Sequence, residues 1–193
     1  MNRLIERIAP TATQLVRRDH ALVLDTFHRY RASDSPRVRQ ALVNAICLAL
    51  EVHTRIEEEL LYPAVREASD SDFLRRAVPE HEEMRRLIAQ LRRMPPSDPD
   101  YDTTLLSLMR DVMHHIADEE TDFLPQAERV LRGRLGELGA QMMRRRLALM
   151  APRTADLAFN RVRAAPGRSL LLVAGLALGA AMMGRQRALG RRA

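Results

Sequence analysis

His53-Thr-Arg-Ile-Glu57-Glu-Glu-Leu-Leu-Tyr-Pro63 has an echo 62 residues further along the chain, His115-Ile-Ala-Asp-Glu119-Glu-Thr-Asp-Phe-Leu-Pro125. Each copy carries a histidine, a glutamate four positions on, a second glutamate directly after it, and a proline six positions after the first glutamate. Four positions is about one turn of α-helix, so the imidazole and the carboxylate share a face, one above the other. A neutral imidazole beside a carboxylate is a donor set that iron or manganese accepts. Two such pairs, on two helices, can supply two histidines and two bridging carboxylates to a pair of metals.

The segments around these motifs read as helices. Residues 11–32 form the first, with Thr11 or Thr13 as cap and Leu15, Leu22 and Phe27 recurring at helical spacing; His20 lies among Val16, Val23, Leu24 and Phe27 and points inward. His28, near the end of that helix, reads as a surface residue. Ser35-Pro36 is an N-cap followed by a proline suited to the first helical position, and opens a helix that runs to about Ala68 through Leu42, Ile46, Leu50, His53 and Glu57. Pro63 removes one hydrogen bond and is expected to bend it. Ser69-Asp-Ser-Asp72 is a turn and cap cluster, and a third helix follows to about Met94, interrupted at Pro79, with His81, Met84, Ile88 and Leu91 on one stripe. The prolines of Met94-Pro-Pro-Ser-Asp-Pro-Asp100 make a loop. The fourth helix starts near Asp102 and carries Leu105, Leu108, Val112, His115, Glu119 and Phe123 up to Pro125. Gly133 and Gly136 loosen the chain ahead of a basic amphipathic segment from about Leu135 to Met150.

Long helical segments with short connections define an all-α, antiparallel, up-down-up-down four-helix bundle. The bundle is also a tandem repeat: 33 residues separate His20 from His53, and 34 separate His81 from His115. Each half is a helix with one inward histidine, then a helix with His-x3-Glu and the later proline. The competing explanation, solvent-facing His–Glu pairs that stabilise helices, has to account for Glu57 and Glu119 sharing the apolar stripe. Glu58 and Glu120 suit that solvated role better. His114 adjoins His115 but points about 100° away on a helix, which makes it a poor substitute.

The set His20, His53-x3-Glu57, His81 and His115-x3-Glu119, in that order and at bundle spacing, resembles the hemerythrin-like, HHE cation-binding family over about residues 15–130. The resemblance implies a bundle around a non-heme diiron centre, with two irons per chain. By position, His20 and His53 would ligate one iron, His81 and His115 the other, and Glu57 and Glu119 would bridge them. Oxygen-carrying members of that family place a further histidine four residues after the one on the third helix, where this chain has Arg85. That departure weakens reversible oxygen carriage and favours reaction with peroxide, oxygen or nitric oxide, chemistry of the kind met in oxidative stress. Arg85 is expected to mark the open side of the centre. Two versions of the function follow: an enzyme that consumes peroxide or oxygen, or an iron-binding sensor or store without turnover, tethered to a membrane by its tail. A third version leaves the bundle without metal and makes the tail the functional part.

Composition bounds the rest. Apolar residues make up 46% of the 193 positions, enough for a core, and with no Trp that core must be aliphatic and Met-rich. The lone Cys47 excludes an internal disulfide and reads as a packed thiol. No apolar leader is visible over Met1 to Pro10, so a cytoplasmic location is expected, with attachment to the inner face of a membrane through the C-terminal segment. All 31 basic residues are Arg. The net charge of +6 divides unevenly: residues 1–130 carry 18 Arg against 23 acidic residues, whereas residues 131–193 carry 13 Arg against two. We therefore divide the chain into a metal-binding bundle at 11–130, a basic amphipathic extension or linker at 131–165, and an apolar segment with a basic end at 166–193. Ser169 to Gly184 holds no charge and would span about 24 Å as a helix, against roughly 30 Å of bilayer core. Insertion into a membrane with anionic lipid is the leading expectation for it, ahead of packing on the protein or on a second copy and of irregular structure. No nucleic-acid motif is present, and a nucleic-acid partner is not expected. The partner expected at the metals is a small gas or peroxide.

Overall fold

The computed structural model describes residues 9–151, which form helices joined by short turns. Helix α1 spans Ala12–Arg29. Its start is a reciprocal cap, in which the Thr11 hydroxyl accepts from Gln14 N and Gln14 Oε1 accepts from Thr11 N at 3.1 Å. Helix α2, Pro36–Ile56, begins with Ser35 accepting from Val38 N, and Pro36 takes a position where no N–H is needed.

Pro63 does not simply bend the second helix. A π-helical turn at Glu57–Leu61 precedes it and leads into α3, Tyr62–Ala68. The same device recurs in the second half: α5 (Tyr101–Asp118) passes through a π-helical turn at Glu119–Phe123 into α6 (Leu124–Val130), which contains Pro125. The wider turn is closed by Tyr62 N–H on the Glu57 carbonyl and by Leu124 N–H on the Glu119 carbonyl. A proline cannot donate to the carbonyl four residues back and its ring crowds that carbonyl, so one widened turn accommodates it without breaking the rod. Each π turn opens on the glutamate of a His-x3-Glu motif.

Helix α4, Phe73–Leu91, is continuous through Pro79, which corrects the interruption expected there. A single proline removes one hydrogen bond, and the buried face formed by Phe73, Leu74, Ala77, His81, Met84, Leu87, Ile88 and Leu91 holds the rod together across it. Asp72 precedes α4 without capping it and pairs instead with Arg75. Leu22, expected in the core, is 47% exposed; Val23 and Phe27 take the buried face of α1 instead.

Successive rods run back along one another. Tyr30 after the end of α1, Arg39 at the start of α2 and Asp102 at the start of α5 meet in one hydrogen-bonded cluster, with Arg39 Nη2 2.6 Å from Asp102. At the opposite end Gln126 on α6 donates to the Asp70 carbonyl at 2.8 Å. Two apolar clusters fill the interior. One contains Val23, Phe27, Ile46, Leu50, Met84, Leu105 and Leu108; the other contains Val16, Leu61, Tyr62, Phe73, Phe123 and Leu124. The His/Glu residues of the repeated motifs form a polar layer between them.

A further helix, α7 (Leu135–Met150), packs against α1 and α2, burying Leu138, Gly139, Ala140 and Met142. Two of its arginines are held by carboxylates of the bundle, Arg145 by Glu59 and Arg146 by Asp19. Among the described residues no helix is long and apolar enough to cross a membrane. The uncharged segment at 169–184 lies outside them.

Candidate metal centre

The fold brings together all six residues singled out from the sequence. His20, His53, Glu57, His81, His115 and Glu119 are each at most 3% exposed, and they converge from α1, α2, α4, α5 and the two π turns. Donor atoms of His20, His53, Glu57 and Glu119 lie within 4.8 Å of one another, and those of Glu57, His81 and His115 form a second such group. Glu57 belongs to both. Glu119 Oε2 lies 3.0 Å from His20 Nε2 and 4.0 Å from His115 Nε2, so it too stands between the two histidine pairs. His28 and His114 are exposed and take no part.

Each imidazole faces a carboxylate with its other nitrogen. His20 Nδ1 is 2.7 Å from Glu120, His81 Nδ1 is 2.8 Å from Glu58, and His115 Nδ1 is 2.7 Å from Glu80. His53 Nδ1 faces Asp19 at 3.7 Å. The pattern repeats between the halves: Asp19 and Glu80 serve the histidine within their own half, Glu58 and Glu120 the histidine of the other. His81 and Arg85 hold Glu58 below the usual carboxylate range despite its burial, and His115 does the same for Glu80. An ionised carboxylate can only accept, so Nδ1 of His81 and of His115 carries a hydrogen, and the Nε2 atoms are the ones turned inward.

The inward-facing atoms test whether a cation fits. His81 Nε2 and His115 Nε2 face each other at 3.1 Å. Glu57 Oε1, Glu119 Oε2 and His20 Nε2 are buried and make no hydrogen bond. Converging acceptors whose only nearby hydroxyl donor, that of Tyr62, stands 3.4–3.5 Å off are costly in a protein interior, and a bound cation would satisfy them. Burial also pushes His81 down to about 4, helped by His115 and His53, so its ring is neutral and able to ligate near pH 7. Burial and the charge of Glu119 push Glu57 well above the ordinary range, whereas contact with His20 and the other imidazoles outweighs burial and holds Glu119 below it.

None of the four outer carboxylates is singled out as a partner of the centre by the sequence reading above. Glu58 and Glu120, assigned a solvated role, each orient a histidine. Asp19 and Glu80 immediately precede His20 and His81, and that repeated acid–His pair was the available signal. Tyr62 was missed as well. Its hydroxyl, 1% exposed as a residue, lies 3.4 Å from Glu57 Oε2, 3.4 Å from His81 Nε2 and 3.5 Å from Glu119 Oε1. The matching position in the second half is Leu124, so this oxygen serves one side only. Arg85 does not face the donors: its guanidinium donates to Glu58 at 2.9 Å, and its side chain is 41% exposed.

An all-helical bundle whose centre is two adjoining buried His/Glu clusters defines a class of metal-binding helical domains. Within it, the chain belongs to the hemerythrin HHE cation-binding domain family, whose model matches residues 11–127. The fold is similar to the crystal structure of a hemerythrin HHE cation-binding domain-containing protein from Mycobacterium kansasii, with a TM-score of 0.65 at 25% identity over 77% of this chain and 92% of that one. A DNA nickase from Nostoc sp. is 32% identical over 107 residues, which is 55% of this chain and 30% of the relative. This chain therefore matches less than a third of that protein's length.

Proposed function

We propose that the bundle holds two iron ions and uses them to bind or react with a small oxidant or gas: oxygen, peroxide or nitric oxide. The ligand set is His20 and His53 on one side and His81 and His115 on the other, with Glu57 and Glu119 shared. Iron held there supplies an open coordination position and exchange of electrons with the bound molecule. The observation that carries the reading is the arrangement of acceptors described above, together with the space beside it. A cavity of about 10 Å³ lies against His20, His53 and His115 and is walled by Val23, Leu50, Met84, Val112 and Ile116. That is room for the centre of about one water-sized molecule. It leaves no room for a larger substrate beside these histidines.

The chain's own residues do the rest. The outer carboxylates hold each imidazole in one tautomer and raise its basicity. The aliphatic wall keeps bulk water away. Tyr62 presents the one neutral hydroxyl beside the shared carboxylates and can donate a hydrogen bond to either. The six residues are buried between helices, out of reach of a DNA backbone, so a nickase activity like that named for the Nostoc relative does not follow from them. Membrane attachment through residues 166–193 is a separate proposal, tested by fractionating cells that express the full chain and a chain ending at 151.

The test is metal content with an absorption spectrum on protein purified without oxygen, before and after peroxide. Two irons per chain and a near-ultraviolet band on oxidation are expected. Turnover of peroxide would select the enzyme, and a stable adduct without turnover would select the sensor. Protein that takes up no iron would overturn both.

A further inference from the structure

The two halves of the centre are nearly matched, and they differ most at Asp19. Its counterpart Glu80 reaches His115 Nδ1 at 2.7 Å, whereas Asp19, one methylene shorter, stops 3.7 Å from His53 Nδ1. Asp19 Oδ2 and His53 Nδ1 are both buried and neither makes a hydrogen bond. The Asp19 side chain is 6% exposed, against 28% for Glu80. A buried carboxylate that misses its imidazole needs another cation, and Arg146 of α7 supplies it through Oδ1.

The placement of Arg146 follows from the docking of α7. Gly139 meets the start of α1 so closely that a Cβ there would stand 2.7 Å from Thr11 C and 2.8 Å from Ala12 N. Seven residues separate Ala12 from Asp19, and seven separate Gly139 from Arg146. The two helices therefore run parallel and meet again two turns on, about 10 Å along the axis, where the guanidinium reaches the carboxylate. The glycine sets the register that makes the ion pair.

We propose that Arg146 is a positioning residue for the His20–His53 metal position: by holding Asp19 beside His53, its ion pair with Asp19, rather than the docking of α7 in general, supports loading of that position, while the His81–His115 position loads without it. This rests on the two-iron reading above. A structural ion pair alone would lower stability without distinguishing one metal from the other.

The experiment uses the full chain, loaded anaerobically with Fe(II), and measures iron per chain and the rate of loss to a chelator. The wild type should hold two irons. Arg146→Gln should hold one firmly and bind the other roughly 10- to 100-fold more weakly. Arg146→Lys should recover part of the loss. Arg145→Gln, which removes the neighbouring contact to Glu59, should keep both irons. Two irons with wild-type release in Arg146→Gln would overturn the proposal. So would equal loss in Arg145→Gln, which would mean general undocking of α7. If circular dichroism shows that Arg146→Gln does not fold, Arg146→Lys decides: weakening of one iron supports the proposal and weakening of neither overturns it. A wild type that binds no iron would instead overturn the two-iron reading.

Discussion

Glu58 accepts a hydrogen bond from His81 Nδ1 at 2.8 Å, across from the neighbouring rod, although it is the residue next to Glu57. Glu120 does the same for His20 from the other half of the repeat. Adjacent glutamates thus divide the work: the first points its carboxylate into the centre, and the second fixes an imidazole that belongs to another helix.

Glu58→Ala and Glu120→Ala should each weaken metal binding roughly 10- to 100-fold with the helix content preserved, since each removes the group that holds an imidazole's tautomer. Competition against a chelator of known affinity measures it. Wild-type affinity in both variants would return these residues to the solvated role.

Glu57→Leu combined with Glu119→Leu should abolish iron binding, whereas Glu57→Leu alone should also raise the stability of the metal-free protein, by about 1–3 kcal/mol, because burial and the charge of Glu119 both disfavour the Glu57 carboxylate. Thermal melts of both proteins without metal, beside their iron contents, test the two halves of the claim. His114→Ala should keep both metals, since that ring is exposed.

Tyr62→Phe should leave the metal-free fold close to wild type, at a cost of about 1 kcal/mol or less, because its contacts of 3.4–3.5 Å are long for hydrogen bonds. The absorption spectrum of the iron-loaded protein should change, since the hydroxyl lies beside both shared carboxylates and His81. An unchanged spectrum and unchanged reactivity with peroxide would make Tyr62 a packing residue.

Docking of α7 should weaken in acid. The guanidinium groups of Arg145 and Arg55 hold Glu59 down, to about 2. A carboxylate depressed in the folded state stabilises it above the unfolded value near 4.5, and that contribution fades as the pH falls toward 2. The protection factors of the α7 amides, which divide out the slower intrinsic exchange in acid, should therefore fall severalfold between pH 5 and pH 2.5. In Glu59→Gln the protection should already be lower at pH 5 and should change less on acidification.

Arg85 shows where local reading stops. Its position four residues after His81 placed it at the open side of the centre, yet its side chain reaches Glu58 and lies partly in solvent. Spacing along one helix gives an angle about that helix, and it does not say how far a long side chain reaches or which neighbour takes its charge.

The helical spacing of His53 and Glu57, of His115 and Glu119, and the single inward histidines at His20 and His81 were sufficient to assign the helical bundle and to place six His and Glu side chains in its interior. These are properties of one turn repeated along one strand of chain, and the sequence states them directly. Tyr62 could not be placed that way: on an uninterrupted α-helix it points about 140° from Glu57. The π turn ahead of Pro63 rotates it back toward the centre. The pairings of Glu58 with His81 and of Arg146 with Asp19 join residues 23 and 127 positions apart. They depend on how each rod is rotated and shifted against its neighbours, which the packing of Leu61, Phe73, Phe123 and Gly139 decides and no local pattern encodes.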